Sequence, residues 1–162
     1  MRTDIEKLSL DLLSVLQKSK VTIGTAESCT GGLVAKTITD ISGISEFYLG
    51  SVISYSNSVK EKVLGVKKKT LAEFGAVSSQ TAVQMAEGVR KTICCDYSVS
   101  TTGIAGPTGG TYEKPVGLVY IACSGKDKET IVTKNLFSGS RQEIRTQATI
   151  KALKMLIEQI EK

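Results

Sequence analysis

The chain has 162 residues, 41% hydrophobic and 23% charged, an ordinary composition for a domain that buries a real core. It carries 21 Lys and Arg against 16 Asp and Glu, a net charge of +5, and no histidine at all. The missing histidine excludes Ser-His-Asp and Cys-His catalysis, histidine general bases and most zinc sites; a base for an activated hydroxyl then has to be Lys, Tyr, Asp, Glu or the N-terminal amine.

The N-terminal stretch "MRTDIEK" is charged and then amphipathic, unlike a secretory leader, and no apolar run approaches the roughly 20 residues of a membrane span. A cytoplasmic location with no membrane partner is expected. Residues 4–18 place Ile5, Leu8, Leu12, Val15 and Leu16 at helical spacing. A strand is expected over 21–26, a helix over 30–41 stopped by Ser42 and Gly43, and a β-rich stretch, "FYLGSVIS", over 47–54. Ser58 and Glu61 fit a capping box and predict a helix that reaches Leu64 and ends near Gly65. Thr70 and Glu73 repeat the signature for a short helix. Ser78 can cap a longer helix to residue 93, with Ala82, Val83, Met85, Ala86 and Val89 on its inner face.

A strand over 97–101 leads into "GIAGPTGG", residues 103–110, a loop on its glycine and proline content. Two β-like runs, 116–122 and 129–137, are joined by residues 124–127 as a hairpin. Ser140 and Glu143 form a third capping box, opening a final helix to about Ile160. Strands alternating with helices predict an α/β fold: a single three-layer α/β/α domain over 1–162 with a mixed, mostly parallel sheet.

The four cysteines, Cys29, Cys94, Cys95 and Cys123, form no C-x-x-C pair, so neither a zinc knuckle nor a redox motif is suggested. Cys94, Cys95 and Cys123 read as buried, reduced thiols acting as small hydrophobes. The basic balance admits nucleic acid or a phosphorylated small molecule as partner. Five Tyr, three Phe and no Trp give basic residues few aromatics to work with, so nucleic acid is not expected; the run Lys67-Lys68-Lys69 reads as a solvated loop.

Chemistry concentrates in "TAESCTGG", residues 25–32, at a strand-to-helix turn. Ser28 there reads either as a helix N-cap or as a nucleophile whose oxyanion is received by backbone amides of Cys29, Thr30 or Gly31. Ala26 and Thr30 replace the glycines of G-x-S-x-G, so the turn is not that elbow. Lys60 sits in the first turn of its helix, where the macrodipole disfavours an ammonium, and burial would lower its pKa further; the alternative is an exposed lysine. Tyr55 lies at a strand end nearby. The stretch "TTGIAGPTGG" offers backbone N–H groups after a strand but matches neither the P-loop nor G-x-G-x-x-G. Arg141, at the last helix start, reads as a phosphate grip or as solvated surface.

Six stretches, in order, carry a resemblance to one family: "AESCTGG" (26–32), "YSNSVKEKVLGV" (55–66), "GAVSSQTAVQMAEG" (75–88), "TGIAGPTGG" (102–110), "KPVGLVYIA" (114–122) and "RQEIR" (141–145). The chain resembles the CinA C-terminal domain family, which includes nicotinamide-nucleotide amidases of the PncC type. Ser51 departs from the family pattern, which usually has a second glycine after Gly50, and would add bulk near the site. The resemblance implies an α/β/α fold with a five- or six-stranded mixed sheet, and hydrolysis of nicotinamide mononucleotide to nicotinate mononucleotide and ammonia, with no metal and no cofactor. It implies Ser28 as nucleophile, Lys60 as proton acceptor and Tyr55 as an orienting or relaying neighbour. Thr102 and the backbone from Gly103 to Gly106 would line the site, and Arg141 would meet the phosphate. Homo-oligomerisation is left open. The competing expectation is an inactive nucleotide-binding or competence-related interaction module.

Overall fold

Thr3 opens the first helix with a capping box: its hydroxyl accepts from the amide of Glu6, whose side chain returns to the Thr3 amide. The computed structural model describes residues 3–162; Met1 and Arg2, which begin the charged N-terminal stretch, lie outside the described residues. The elements run α1 (Asp4–Ser19), β1 (Ile23–Glu27), α2 (Leu33–Thr39), a 3-10 turn (Ile44–Glu46), β2 (Tyr48–Ile53), α3 (Asn57–Leu64), α4 (Lys68–Phe74), α5 (Ser79–Ile93), β3 (Tyr97–Gly103), β4 (Leu118–Gly125), β5 (Ile131–Leu136) and α6 (Arg141–Glu161).

The five strands form one mixed sheet in the order β2-β1-β3-β4-β5. β1 runs parallel to both neighbours, whereas β3–β4 and β4–β5 are antiparallel. Helices α1, α2 and α6 pack together on one face and α3, α4 and α5 on the other, giving the three-layer α/β/α arrangement. The first face buries Leu12, Leu16, Val34, Ile38, Ile144, Leu153 and Leu156 against Ile23, Val99, Ile121 and Cys123 of the sheet. On the second face α5 lies close to β3 because its contact residues are small. Ala82 and Ala86 are fully buried, and their carbonyls accept hydrogen bonds of 2.6 Å from Ser100 and Ser98. Those serines satisfy their hydroxyls against a neighbouring helix, so a polar strand sits in a dry layer at little cost. Among the described residues no helix is long and apolar enough to cross a membrane.

The order of the strands positions the site. Passing from β1 to β2 and then across to β3 reverses direction at β1, with α2 on one face and α3–α5 on the other. Such a switch point opens a crevice at the carboxyl ends of the parallel strands. Those ends are Glu27, Ile53 and Gly103.

Several local expectations are corrected. α2 begins at Leu33 rather than Thr30, with Gly32 as a cap that offers no side chain. α3 is capped by Ser56, whose hydroxyl accepts from the Val59 amide, and not by Ser58. Thr70 lies inside α4 and accepts from the Gln84 side chain, while the other end of Gln84 accepts from the Lys67 amide. Lys68 and Lys69 therefore belong to a helix start, although they are exposed as expected. Cys94 is exposed at the end of α5, in a left-handed conformation, not buried; Cys95 and Cys123 are buried. The caps at Ser78 and Ser140 stand where the pattern puts them.

Candidate active site

Ser28 follows β1 directly. Its amide donates to the Thr101 carbonyl of β3, and its own carbonyl accepts from Gly31, so the turn is tied to the neighbouring strand and to itself. Its hydroxyl caps no helix. It meets Lys60 instead, with Nζ 3.0 Å from Oγ.

Lys60 is the fourth residue of α3 and 1% exposed. Its Nζ donates to the carbonyls of Ser54 (2.8 Å) and Tyr55 (3.2 Å), both just past the end of β2. Among the described residues the sole ion pair is Lys36–Asp40, so no carboxylate balances Lys60. Burial accordingly pushes its pKa below the ordinary lysine value. A neutral amine has two hydrogens and one lone pair. As an ammonium Lys60 donates its third hydrogen to Ser28 Oγ; in the neutral form both hydrogens go to the two carbonyls and the lone pair faces the Ser28 hydroxyl. The alternative of an exposed lysine does not apply.

Cys29, next to the nucleophile candidate, is buried, and burial pushes its thiol up to about 12. It stays protonated near neutral pH and is a poor nucleophile.

Ser28, Cys29, Tyr55, Lys60, Thr102, Gly103, Gly106 and Arg141 line one cleft of about 360 Å³ at the carboxyl ends of β1, β2 and β3. Thr30 and Gly31 do not line it. The Thr30 hydroxyl is buried against Glu27 and Thr101, and the Gly31 amide is committed to the Ser28 carbonyl, which removes it as an oxyanion donor. Within the turn, the amides of Cys29 and Thr30 have no acceptor among the described residues. The same holds for Ala105 and Gly106, buried residues of the loop after β3 that also line the cleft. Buried backbone amides are nearly always paired, so those of Cys29, Ala105 and Gly106, which line the cleft, mark where a ligand oxygen fits.

Tyr55 is 65% exposed and meets Lys60 through its carbonyl, not its hydroxyl; the hydroxyl accepts from Arg141 at 3.3 Å. Arg141 also donates to the Gly106 carbonyl at 2.7 Å, fastening the glycine-rich loop to α6. Thr102 donates to the Ala76 carbonyl at 2.7 Å. Ser51 does not crowd the cleft. It accepts from Thr25 at 2.7 Å and turns toward Glu27.

Sequence reasoning gave no role to Asn57, Thr108, Glu27 or Arg145. Asn57 and Thr108 line the cleft. Glu27 was legible as a carboxylate closing an otherwise uncharged strand, and Arg145 as the second arginine of "RQEIR", one helical turn beyond Arg141. Arg145 donates to the Thr30 carbonyl at 2.6 Å, holding the turn from α6.

The lining holds Lys60 and Arg141 and not one Asp or Glu. The Arg141 guanidinium with no carboxylate beside it favours an anionic ligand, and the cleft presents a hydroxyl, an adjacent lysine of lowered pKa and free amides together.

Comparison with known proteins follows the same geometry. The family model of the CinA C-terminal domain matches residues 5–160. A CinA-like protein of Kosmotoga olearia is 51% identical over 148 residues, 91% of this chain and 36% of that protein. A CinA-like protein of Leptospira borgpetersenii is 49% identical over 152 residues, 94% of this chain and 36% of that protein. The chain thus spans little more than a third of the curated relatives it matches. The crystal structure of competence/damage inducible protein CihA from Agrobacterium tumefaciens superposes with a TM-score of 0.96 at 39% identity, covering 100% of this chain and 98% of that one. With the family model matching residues 5–160 and relatives about half identical over more than nine tenths of its length, the chain belongs to the CinA C-terminal domain family.

Proposed function

We propose that the protein is an amidohydrolase that converts nicotinamide mononucleotide to nicotinate mononucleotide and ammonia through a Ser28–Lys60 pair. The observation that carries the reaction type is the 3.0 Å contact between a buried, uncompensated lysine and a serine hydroxyl. The choice of substrate rests on the family resemblance and is supported by a cleft that favours anions.

In this reading the neutral Lys60 amine takes the Ser28 proton as Oγ attacks the carboxamide carbon. The oxyanion is received by uncommitted amides of the turn and of the loop after β3. Lys60, now an ammonium, passes its proton to the departing nitrogen, and ammonia leaves. Lys60 is the donor of choice because its Nζ meets Ser28 Oγ at 3.0 Å, whereas the Tyr55 hydroxyl makes no hydrogen bond to either group. Water then attacks the nicotinoyl ester with Lys60 again as base, releasing the acid and restoring Ser28. The pyridinium ring withdraws electrons from the carbonyl, so a lysine base of modest strength suffices.

Ammonia release from nicotinamide mononucleotide is the direct test. Turnover above the uncatalysed rate is expected, and none at millimolar substrate would return the chain to a binding or interaction module. Cys29→Ala should keep at least half of wild-type kcat/KM, because the thiol is protonated and inert. Complete loss with Ser28 intact would reassign the nucleophile.

Arg141 tests the phosphate half of the site. Charge-assisted contacts contribute about 1.5–3 kcal/mol each, so Arg141→Ala should lower kcat/KM for the mononucleotide by about tenfold or more. Nicotinamide riboside, which lacks the phosphate, should be a poorer substrate for the wild type and little affected by the change. Equal losses on both substrates would assign Arg141 to holding Tyr55 and the Gly106 carbonyl, and would put the phosphate elsewhere.

A further inference from the structure

Glu27 is the last residue of β1 and is fully buried. Its carboxylate receives the Thr30 hydroxyl at 2.7 Å, the amides of Gly32 (3.2 Å), Val34 (2.9 Å) and Ala35 (2.9 Å), and the Ser51 hydroxyl at 3.4 Å. Every partner is a donor. Among the described residues no lysine or arginine pairs with it. The group is held by the first-turn amides of α2 and by two hydroxyls.

A cap alone does not call for this arrangement. Ordinary helix caps use a local serine or aspartate in extended conformation and contribute about 1 kcal/mol. Burying an unpaired carboxylate instead costs several kcal/mol before its hydrogen bonds are counted. What the carboxylate adds is connection between segments. It joins the α2 start, Thr30 within the turn and Ser51 of β2. The Thr30 hydroxyl also lies 2.7 Å from that of Thr101 in β3. The turn contains Gly31 and Gly32 at φ of 58° and 104°, the freest backbone in this stretch. Something has to hold it in one conformation.

We propose, on the reading of Ser28 as nucleophile, that Glu27 is the positioning residue of the site: its buried carboxylate fixes the backbone after Ser28 in the conformation that presents the uncommitted Cys29 amide to the cleft. Glu27 touches neither Ser28 Oγ nor Lys60 Nζ, so it acts through the turn and leaves the base alone. Loss of the clamp lowers the maximal rate without moving the pH at which Lys60 becomes competent.

The test uses an activated ester, p-nitrophenyl acetate, so that it does not depend on the identity of the natural substrate. Acyl transfer to Ser28 is followed by the nitrophenol burst and by peptide mass. Glu27→Gln keeps the shape but puts an NH2 group among donors. A drop of about tenfold or more in acylation rate is expected, with the pH midpoint unchanged and circular dichroism showing a folded chain. Thr30→Val, which cuts the link from Glu27 to Thr101, should slow acylation severalfold, and Thr30→Ser should restore it. A folded Glu27→Gln protein acylating at the wild-type rate would overturn the proposal, as would a shifted midpoint, which would show an electrostatic effect on Lys60. Should Glu27→Gln not fold, the Thr30 pair decides, and equal rates in Thr30→Val and Thr30→Ser refute it. A wild-type chain never acylated at Ser28 refutes the nucleophile reading itself.

Discussion

Ser28→Ala is expected to reduce ammonia release by about a thousandfold or more, since removing a nucleophile removes the covalent path while leaving only binding and the oxyanion donors. The fold should be unaffected. The Ser28 hydroxyl caps no helix, and among the described residues its side-chain hydrogen bond is with Lys60 alone. The backbone bonds of Ser28 to Thr101 and Gly31 do not involve the side chain. Lys60 keeps its two carbonyl acceptors in the variant, so the stability change should stay within about 1 kcal/mol. Far-UV circular dichroism and a urea titration beside the activity assay check both halves. A variant that keeps a tenth of the activity would exclude Ser28 as nucleophile.

Lys60 should be as sensitive. Lys60→Met removes the base, and Lys60→Arg replaces it with a guanidinium that stays charged at any working pH, so both should lose about a thousandfold or more in kcat. An active Lys60→Arg enzyme would show that positive charge, not proton transfer, is what the position supplies. The wild-type rate should rise with pH through one group that titrates below the usual lysine value of about 10.4.

The same lysine links stability to pH. Burial lowers its folded-state pKa, so between that value and the unfolded value near 10.4 the unfolded chain binds more protons than the native one. Stability therefore rises with pH across that window and is flat below it as far as this group is concerned. Subtracting the Lys60→Met titration from the wild-type one isolates the effect. A difference that falls as pH rises would mean that Lys60 is held as an ammonium.

Much of the site could be read from residue types. Without histidine, an activated serine needs another base, and Lys60 was the lysine that a helix start would keep uncharged. The alternation of elements was enough for the layers, and the hairpin late in the chain for the mixed sheet, in which two of the four strand pairings are parallel. The misplaced starts of α2 and α4 share one physical cause: α2 is capped by Glu27 from within β1 and the start of α4 by Gln84 from α5, and neither cap lies in the local sequence that follows. Ser58 carries the better local signature but Ser56 does the capping, and starting there lets the Lys60 amide bond the Ser56 carbonyl and brings Nζ onto the carbonyls after β2. Cys94 was misread because a left-handed helix end turns its side chain to solvent, which no hydrophobicity pattern records.

The two ties on the nucleophile turn have a consequence for when the protein becomes reactive. Ser28 and Lys60 both precede β3 and α6 in the chain and are synthesised before them. The Ser28 amide, however, is held by Thr101, and the Thr30 carbonyl by Arg145, 115 residues downstream of it. Contacts between residues so far apart in the chain form late, because long loops must close first. A nascent chain that has not yet docked α6 carries a serine and a lysine but no fixed turn between them. On the proposed mechanism, chemical competence therefore comes with completion of the fold, and partially synthesised or proteolytically trimmed chains should not acylate.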